Sequence, residues 1–305
     1  MAAQQAAGAE SAIRGGAHLM SVDTATSLTT KGERALAALD SAELPQPQHP
    51  LPSVLQRPAT LQYDTTTFDL ARAVAELLNA GAGLAAFVPA SETWSMRARR
   101  ALQLRVRAHG GLCDVYERFI KAVVAPELAR HDPSAAKEPA DGSTAVVRVL
   151  YQFPPTLRVH PAGSRQFRRA HRDAEYGHQP GEVNFWLPLT DATSGRATLW
   201  VEPEPGEMQP RRGAAPPPLH CRDEGGPGGS MGFTPLELAV GQFARFYGVE
   251  RHHRAPPNTT SSSRVSIDFR CALASCYDES WALLGNKRER KTSHAMRVVE
   301  VLRPR

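Results

Sequence analysis

Arg169-Ala-His-Arg-Asp-Ala-Glu-Tyr-Gly-His178 is the stretch from which the rest of the chain can be read. On an extended strand successive side chains alternate between faces, so His171 and Asp173 share a face and Arg172 points away. An imidazole and a carboxylate so placed are two of the three protein ligands of a two-His-one-carboxylate iron site, which leaves adjacent positions open. His-x-Asp alone arises often by chance. It gains weight from a second stretch, Glu250-Arg-His-His253-Arg-Ala-Pro-Pro-Asn258-Thr-Thr-Ser-Ser-Ser-Arg264. There His253 offers a third ligand, and Arg264 opens the next strand with a planar, permanently charged fork suited to a carboxylate. A 2-oxo acid chelating a metal through its keto oxygen and one carboxylate would need such a cation for its far end.

Length and composition set bounds around this core. A chain of 305 residues can bury one sizeable core or two small ones without disulfide staples. Cys113, Cys221, Cys271 and Cys276 form no Cys-x-x-Cys pair, and read as reduced thiols of an intracellular, cytoplasmic protein. Apolar runs fall short of the roughly 18 residues of a membrane span, so no membrane partner is expected. The formal charge of +5 is matched by the excess of Lys and Arg after Asn286, which leaves the first 285 residues balanced. A short basic end reads as a solvated tail, and no basic-aromatic pattern of nucleic-acid recognition accompanies it.

Residues 1–58 are rich in Ala, Ser, Thr and Gln, close on Pro45-Gln-Pro-Gln-His-Pro-Leu-Pro52, and read as a disordered or low-complexity segment. Organelle targeting by this segment is the alternative, weakened by its acidic residues. A helical support region is expected over 59–140. Its first helix is Phe68–Leu78, capped by Thr67 and stopped at Asn79-Ala-Gly81. Further helix runs from Ser91 to Ala108, breaks at Gly110-Gly111, and resumes from Asp114 to Arg130 with Pro126 as a kink or end. Over 141–280 the pattern changes to short strands: Ala145–Tyr151, Thr156–His160, Arg168–His171, Glu182–Leu187, Thr198–Val201, Gln242–Tyr247 and Arg264–Cys271. Short strands with irregular connections imply an antiparallel sandwich or barrel. The Pro/Gly-rich stretch between Pro203 and Pro235 reads as a lid or as disorder, and 281–305 as the basic tail.

Further residues carry a resemblance. They are Tyr151-Gln-Phe-Pro-Pro-Thr-Leu-Arg-Val-His160, the run from His171 through Asn184-Phe-Trp-Leu-Pro-Leu-Thr190, Thr198-Leu-Trp-Val-Glu-Pro-Glu-Pro205, and Asn258 through Arg270. Over roughly 145–275 the chain resembles the 2-oxoglutarate- and iron(II)-dependent dioxygenases of the phytanoyl-CoA-hydroxylase-like group, and among them those of streptomycin-biosynthesis type. The resemblance implies a mainly β fold with flanking helices, a double-stranded β-helix (jelly roll, cupin-like). It implies His171, Asp173 and His253 as catalytic metal ligands, and Arg264 as the 2-oxoglutarate anchor. Fe(II), 2-oxoglutarate and O2 would be required, ascorbate is admitted as a reductant, and a small molecule would be hydroxylated or otherwise oxidised. Gly195-Arg-Ala197 and the long loop after Glu207 depart from the family's pattern.

Other residues compete for roles. His252 rivals His253, although spacing to Arg264 and the turn residue Asn258 favour His253. His178 lies beyond a turn at Gly177, as a residue behind the ligands or facing substrate, and His160 reads as structural. His220-Cys221-Arg222-Asp223 resembles a metal set but lacks a fourth group at metal spacing. Trp186 and Trp200 suit a barrel core. An inward Asn184 amide needs a partner, which makes it a cofactor-binding candidate. Arg158 is either paired with Glu182 or Asp268, or a second cation for an acidic substrate. Two other classes of function stand beside an oxygenase: a non-catalytic jelly-roll binding protein and a non-oxygenase cupin-like enzyme. Neither needs Arg264 together with three intact ligands.

Overall fold

The computed structural model of the chain describes residues 49–89, 96–136, 144–165, 168–195, 197–203, 232–279, 281 and 295–304. These fall within one unit that begins at Pro45. The expected low-complexity segment ends earlier than its composition suggests. Leu51 and Leu55 are buried in the core, just before and on a short helix, α1 (Ser53–Gln56). Strand β1 (Ala59–Gln62) follows, inside the stretch expected to be helical. Helix α2 (Leu70–Leu78) buries Leu70, Ala73, Val74, Leu77 and Leu78, the spacing of one helical stripe. Its cap is Asp69, whose carboxylate accepts from the Arg72 N–H, and not Thr67. The Thr67 hydroxyl is committed to Asp64 at 2.6 Å, so the helix starts later than expected.

Helix α3 (Met96–Ala108) ends before His109, whose ring accepts from Leu112 N and caps α4 (Gly110–Phe119). The break expected at the two glycines thus falls one residue earlier, at His109, and the glycines open the next helix. A wide π turn over Ile120–Val124 leads into α5 (Ala125–Ala129), with Pro126 in its first turn, where a missing N–H costs little.

The strands are β2 (Val146–Phe153), β3 (Thr156–His160), β4 (Arg168–His171), β5 (Glu182–Pro188), β6 (Trp200–Val201), β7 (Thr234–Pro235), β8 (Gln242–Phe246), β9 (His253–Ala255), β10 (Arg264–Leu273) and β11 (Ala295–Leu302). They pair antiparallel in two sheets. The larger runs β1-β8-β5-β10-β2-β11 with β3 also on β10, and the smaller runs β4-β9-β6-β7. This is the jelly-roll class, mainly β with flanking helices. Strand β11 lies in the stretch expected to be a tail. It pairs with the whole of β2, Ala295 opposite Phe153 and Leu302 opposite Val146. Residues 1–48, the His220–Asp223 set with Cys221, and most of the Pro/Gly-rich stretch lie outside the described residues. Among the described residues no helix is long and apolar enough to cross a membrane.

Alternation along β10 divides the interior. Val265, Ile267, Phe269, Cys271 and Leu273 join the core that the helices cover. There Phe185 stacks on Phe269 at 5.2 Å, and Tyr116 and Phe119 of α4 meet Phe269 edge-on. Each such ring pair is worth about 0.5–1.5 kcal/mol beyond area burial. Arg264, Ser266, Asp268 and Arg270 occupy the opposite face of the strand. On that side Trp186, Ala244 and Phe246 of the larger sheet meet Val201 of the smaller in a second apolar cluster.

Candidate metal centre

Strand pairing brings the two imidazoles together. His171 of β4 is directly opposite His253 of β9, and their ring centroids are 4.4 Å apart. Strand β4 ends at His171, Arg172 remains extended, and Asp173 opens a single 3-10 turn over Asp173–Tyr176. The expected strand conformation thus reaches only to Arg172, which suffices to turn Asp173 inward. Glu175 accepts from Arg172 N at 2.9 Å, and Asp173 N donates to Gly248 O at 2.7 Å, fixing the turn. Ligand atoms of His171, Asp173 and His253 all lie within 4.8 Å of one another.

Each imidazole is oriented by a backbone carbonyl: His171 Nδ1 lies 3.0 Å from Arg169 O, and His253 Nδ1 3.2 Å from Arg251 O. A carbonyl only accepts, so both rings carry their proton on Nδ1 and present the Nε2 lone pair. Burial, only partly offset by Asp173, pushes the His253 imidazole below its ordinary value, which favours the neutral, ligating form. Burial opposes ionisation of Asp173. The Arg270 guanidinium above all, then His253, His178 and the Asn184 hydrogen bond, outweigh it and hold the carboxyl well below the usual range. His252, the rival for the third position, is tied to Glu202 through its backbone N–H at 2.9 Å and its ring at 3.1 Å. The register favours His253.

Arg264 is buried on the same strand face as Arg270. Its Nη1 donates to Thr198 O at 3.0 Å, while its Nε and the Ser266 hydroxyl are buried without a hydrogen-bond partner. Asp268, the acid that would have made Arg264 structural, is taken by Arg158 in a two-pronged pair at 2.8 and 3.1 Å. Among the described residues Arg264 therefore has no carboxylate partner. Burial first, then the charge of Arg158, pushes its guanidinium down to about 10. A buried, crowded cation next to an orphaned hydroxyl suits an incoming carboxylate, and a His-Asp-His donor set suits iron(II).

Asn184, expected among the cofactor-binding residues, is engaged within the protein. Its amide donates to Asp173 Oδ2 at 2.6 Å and accepts from Gly248 N at 3.2 Å. A Cβ on Gly248 would stand 2.7 Å from that amide, so only glycine leaves room for it. His178 pairs with Glu182 at 2.7 Å, and His160 is buried at the end of β3. Trp186 joins the apolar cluster between the sheets. The functional residue that sequence reasoning missed is Arg270, which bonds Asp173. The available signal was the alternation Arg264-x-Ser-x-Asp-x-Arg270, which puts four polar side chains on one strand face.

The jelly roll thus carries a His-Asp-His cluster and, on the strand that brings Arg270 to Asp173, a buried arginine with no carboxylate partner among the described residues. A model of the phytanoyl-CoA dioxygenase (PhyH) family matches residues 71–266, and the chain belongs to that family. The streptomycin biosynthesis protein StrG of Streptomyces griseus is 33% identical over 130 residues, 43% of this chain and 50% of that protein. The chain thus matches about half the length of this curated relative. Among solved structures, the non-heme alpha-ketoglutarate-dependent epimerase SnoN from nogalamycin biosynthesis is 16% identical, covering 72% of this chain and 78% of its own, with a TM-score of 0.42. EvdO2 from Micromonospora carbonacea var. aurantiaca, complexed with 2-oxoglutarate, is 16% identical over 77% of this chain and 92% of its own, with a TM-score of 0.41.

Proposed function

We propose that the chain is an Fe(II)- and 2-oxoglutarate-dependent oxygenase that hydroxylates, or otherwise oxidises, a small-molecule substrate. The observation that carries this is Arg264, a buried guanidinium with no acidic partner among the described residues, on the strand that also carries Arg270 to the His-Asp-His cluster. His171 Nε2, His253 Nε2 and Asp173 would hold the iron. Arg264, with the Ser266 hydroxyl, would bind the far carboxylate of 2-oxoglutarate. Iron bound there would supply oxygen activation, with 2-oxoglutarate and O2 consumed, succinate and CO2 released, and one oxygen atom passed to the substrate C–H bond. Ascorbate would serve only to return oxidised iron to Fe(II).

The protein's own part is placement. Phe246 stands edge-on to His253 at 5.3 Å and Tyr176 edge-on to His171 at 5.1 Å, walling both rings. The likeness to a streptomycin biosynthesis protein supports a small molecule as the substrate. In this reading the chain comprises an N-terminal segment, a helical support region and a catalytic jelly roll whose larger sheet also takes in residues 59–62 and 295–302. The test is iron-dependent formation of succinate from 2-oxoglutarate by the purified chain. Expected is turnover that disappears in His171→Ala, Asp173→Ala and His253→Ala. Turnover surviving in His253→Ala but lost in His252→Ala would move the third ligand by one residue. A binding protein or a cupin of other chemistry would form no succinate.

A further inference from the structure

Arg158 and Arg270 hold their aspartates differently. Arg158 of β3, reaching across to β10, grips both oxygens of Asp268, Nε to Oδ1 at 2.8 Å and Nη2 to Oδ2 at 3.1 Å. This is the fork-on-fork geometry that a guanidinium adopts with an unconstrained carboxylate. Arg270 does not grip Asp173 that way. Its Nε at 2.9 Å and Nη2 at 2.7 Å both converge on Oδ2, and the Asn184 amide adds a third bond to the same oxygen at 2.6 Å. Oδ1 is left toward the cluster, 3.6 Å from His253 Nε2. Three donors exceed the two lone-pair sites of one carboxylate oxygen, so Oδ2 has nothing left to offer.

Arg270 is itself held from behind. Its Nε lies 3.8 Å from Glu182 Oε2, the oxygen that also meets His178, and its Nη1 donates to Gln152 Oε1 at 3.5 Å. Burial would weaken its charge, but Asp173 and Glu182 more than restore it. Asn184 is seated by Gly248, whose carbonyl also holds the Asp173 backbone. Both residues that donate to Oδ2 are thus fixed by neighbours that do not touch Oδ1.

We propose that Arg270, with Asn184, is a positioning clamp that reserves Asp173 Oδ1 as a single-oxygen ligand and keeps Oδ2 out of the metal's coordination sphere. This rests on the metal-centre reading above. A clamp of this kind governs how tightly and in what geometry a metal is held, and residues behind metal ligands typically contribute about 10–100-fold in affinity.

The experiment is Co(II) titration of the full metal-free chain, with the visible Co(II) spectrum and the melting temperature of the metal-free protein recorded alongside. Arg270→Lys keeps the charge but loses the paired N–H groups; Asn184→Ala removes only the neutral donor. Expected is Co(II) binding about 10–100-fold weaker in Arg270→Lys and about tenfold weaker in Asn184→Ala, with an altered Co(II) band as Oδ2 becomes free to coordinate. Titrations run well below each variant's own melting temperature, so a purely structural loss leaves both readings at wild-type values. If Arg270→Lys yields no folded protein, Asn184→Ala decides alone. Co(II) affinity within about twofold of wild type and an unchanged band, with Asp173→Ala still defective, would overturn the clamp alone. Equal Co(II) binding by wild type and Asp173→Ala would bring down the metal-centre reading and the clamp with it.

Discussion

Arg264 lies buried beside Thr198 with its Nε unmatched, and what it binds decides the chemistry of the site. If its partner is the far carboxylate of 2-oxoglutarate, Arg264→Lys keeps the charge and loses the fork. Charge-assisted bonds of this kind are worth about 1.5–3 kcal/mol, so the apparent 2-oxoglutarate affinity should fall by about one to two orders of magnitude. Iron affinity should stay as it was, because no ligand is touched. A titration with each ligand on the same variant checks both. If Arg264 were instead a structural residue, the same variant would melt earlier and bind 2-oxoglutarate as the wild type does.

At the scale of elements, the turn between β9 and β10 fixes the distance from His253 to Arg264. Asn258 is fully buried in it. Its Nδ2 faces the carbonyls of His160, Pro161 and Ser262 at 2.8–3.0 Å, and its Oδ1 accepts from Thr260. Asn258→Ala should cost about 1–3 kcal/mol by leaving buried carbonyls unmatched, read as a lower melting temperature. Asn258 is legible from sequence as a turn residue, as are β3 and β4 with their boundaries, whereas Asp173 meets His171 from a 3-10 turn and not, as expected, along one strand face. Capping is harder to read. Thr67, Asp69 and His109 are all competent caps, and sequence alone does not rank them: the Thr67 hydroxyl is taken by Asp64, three residues before it, which leaves the helix ends to the other two. Asn184 shows the same limit: its inward direction follows from alternation, but its partner belongs to a turn eleven residues earlier in the chain. Arg270 is legible as an inward residue and no more, since nothing local marks which aspartate it meets.

For the whole molecule, composition misjudges both ends. Leu51 and Leu55 join the core, Arg245 donates to Val54 O at 2.9 Å, and Cys276 reaches Pro50 O at 3.6 Å. Removing residues 1–44 should leave a folded protein, whereas cutting through residue 58 should not, as thermal melts of the two truncations would report. The basic C-terminal stretch hides the strand Ala295–Leu302, in which Arg297 lies over the Phe153 ring at 3.3 Å and pairs with Glu117. Its charges mask the pattern, because a cation resting on an aromatic face reads in the sequence as a solvated one. The central claim, that one site takes both iron and 2-oxoglutarate, is tested most directly by anaerobic titration of the full chain with Fe(II) and 2-oxoglutarate while visible absorption is recorded. A charge-transfer band should appear only when both are present, vanish in His253→Ala, persist in His252→Ala, and need about ten to a hundred times more 2-oxoglutarate in Arg264→Lys. No band in the wild-type chain, or a band with unchanged 2-oxoglutarate dependence in Arg264→Ala, would contradict it.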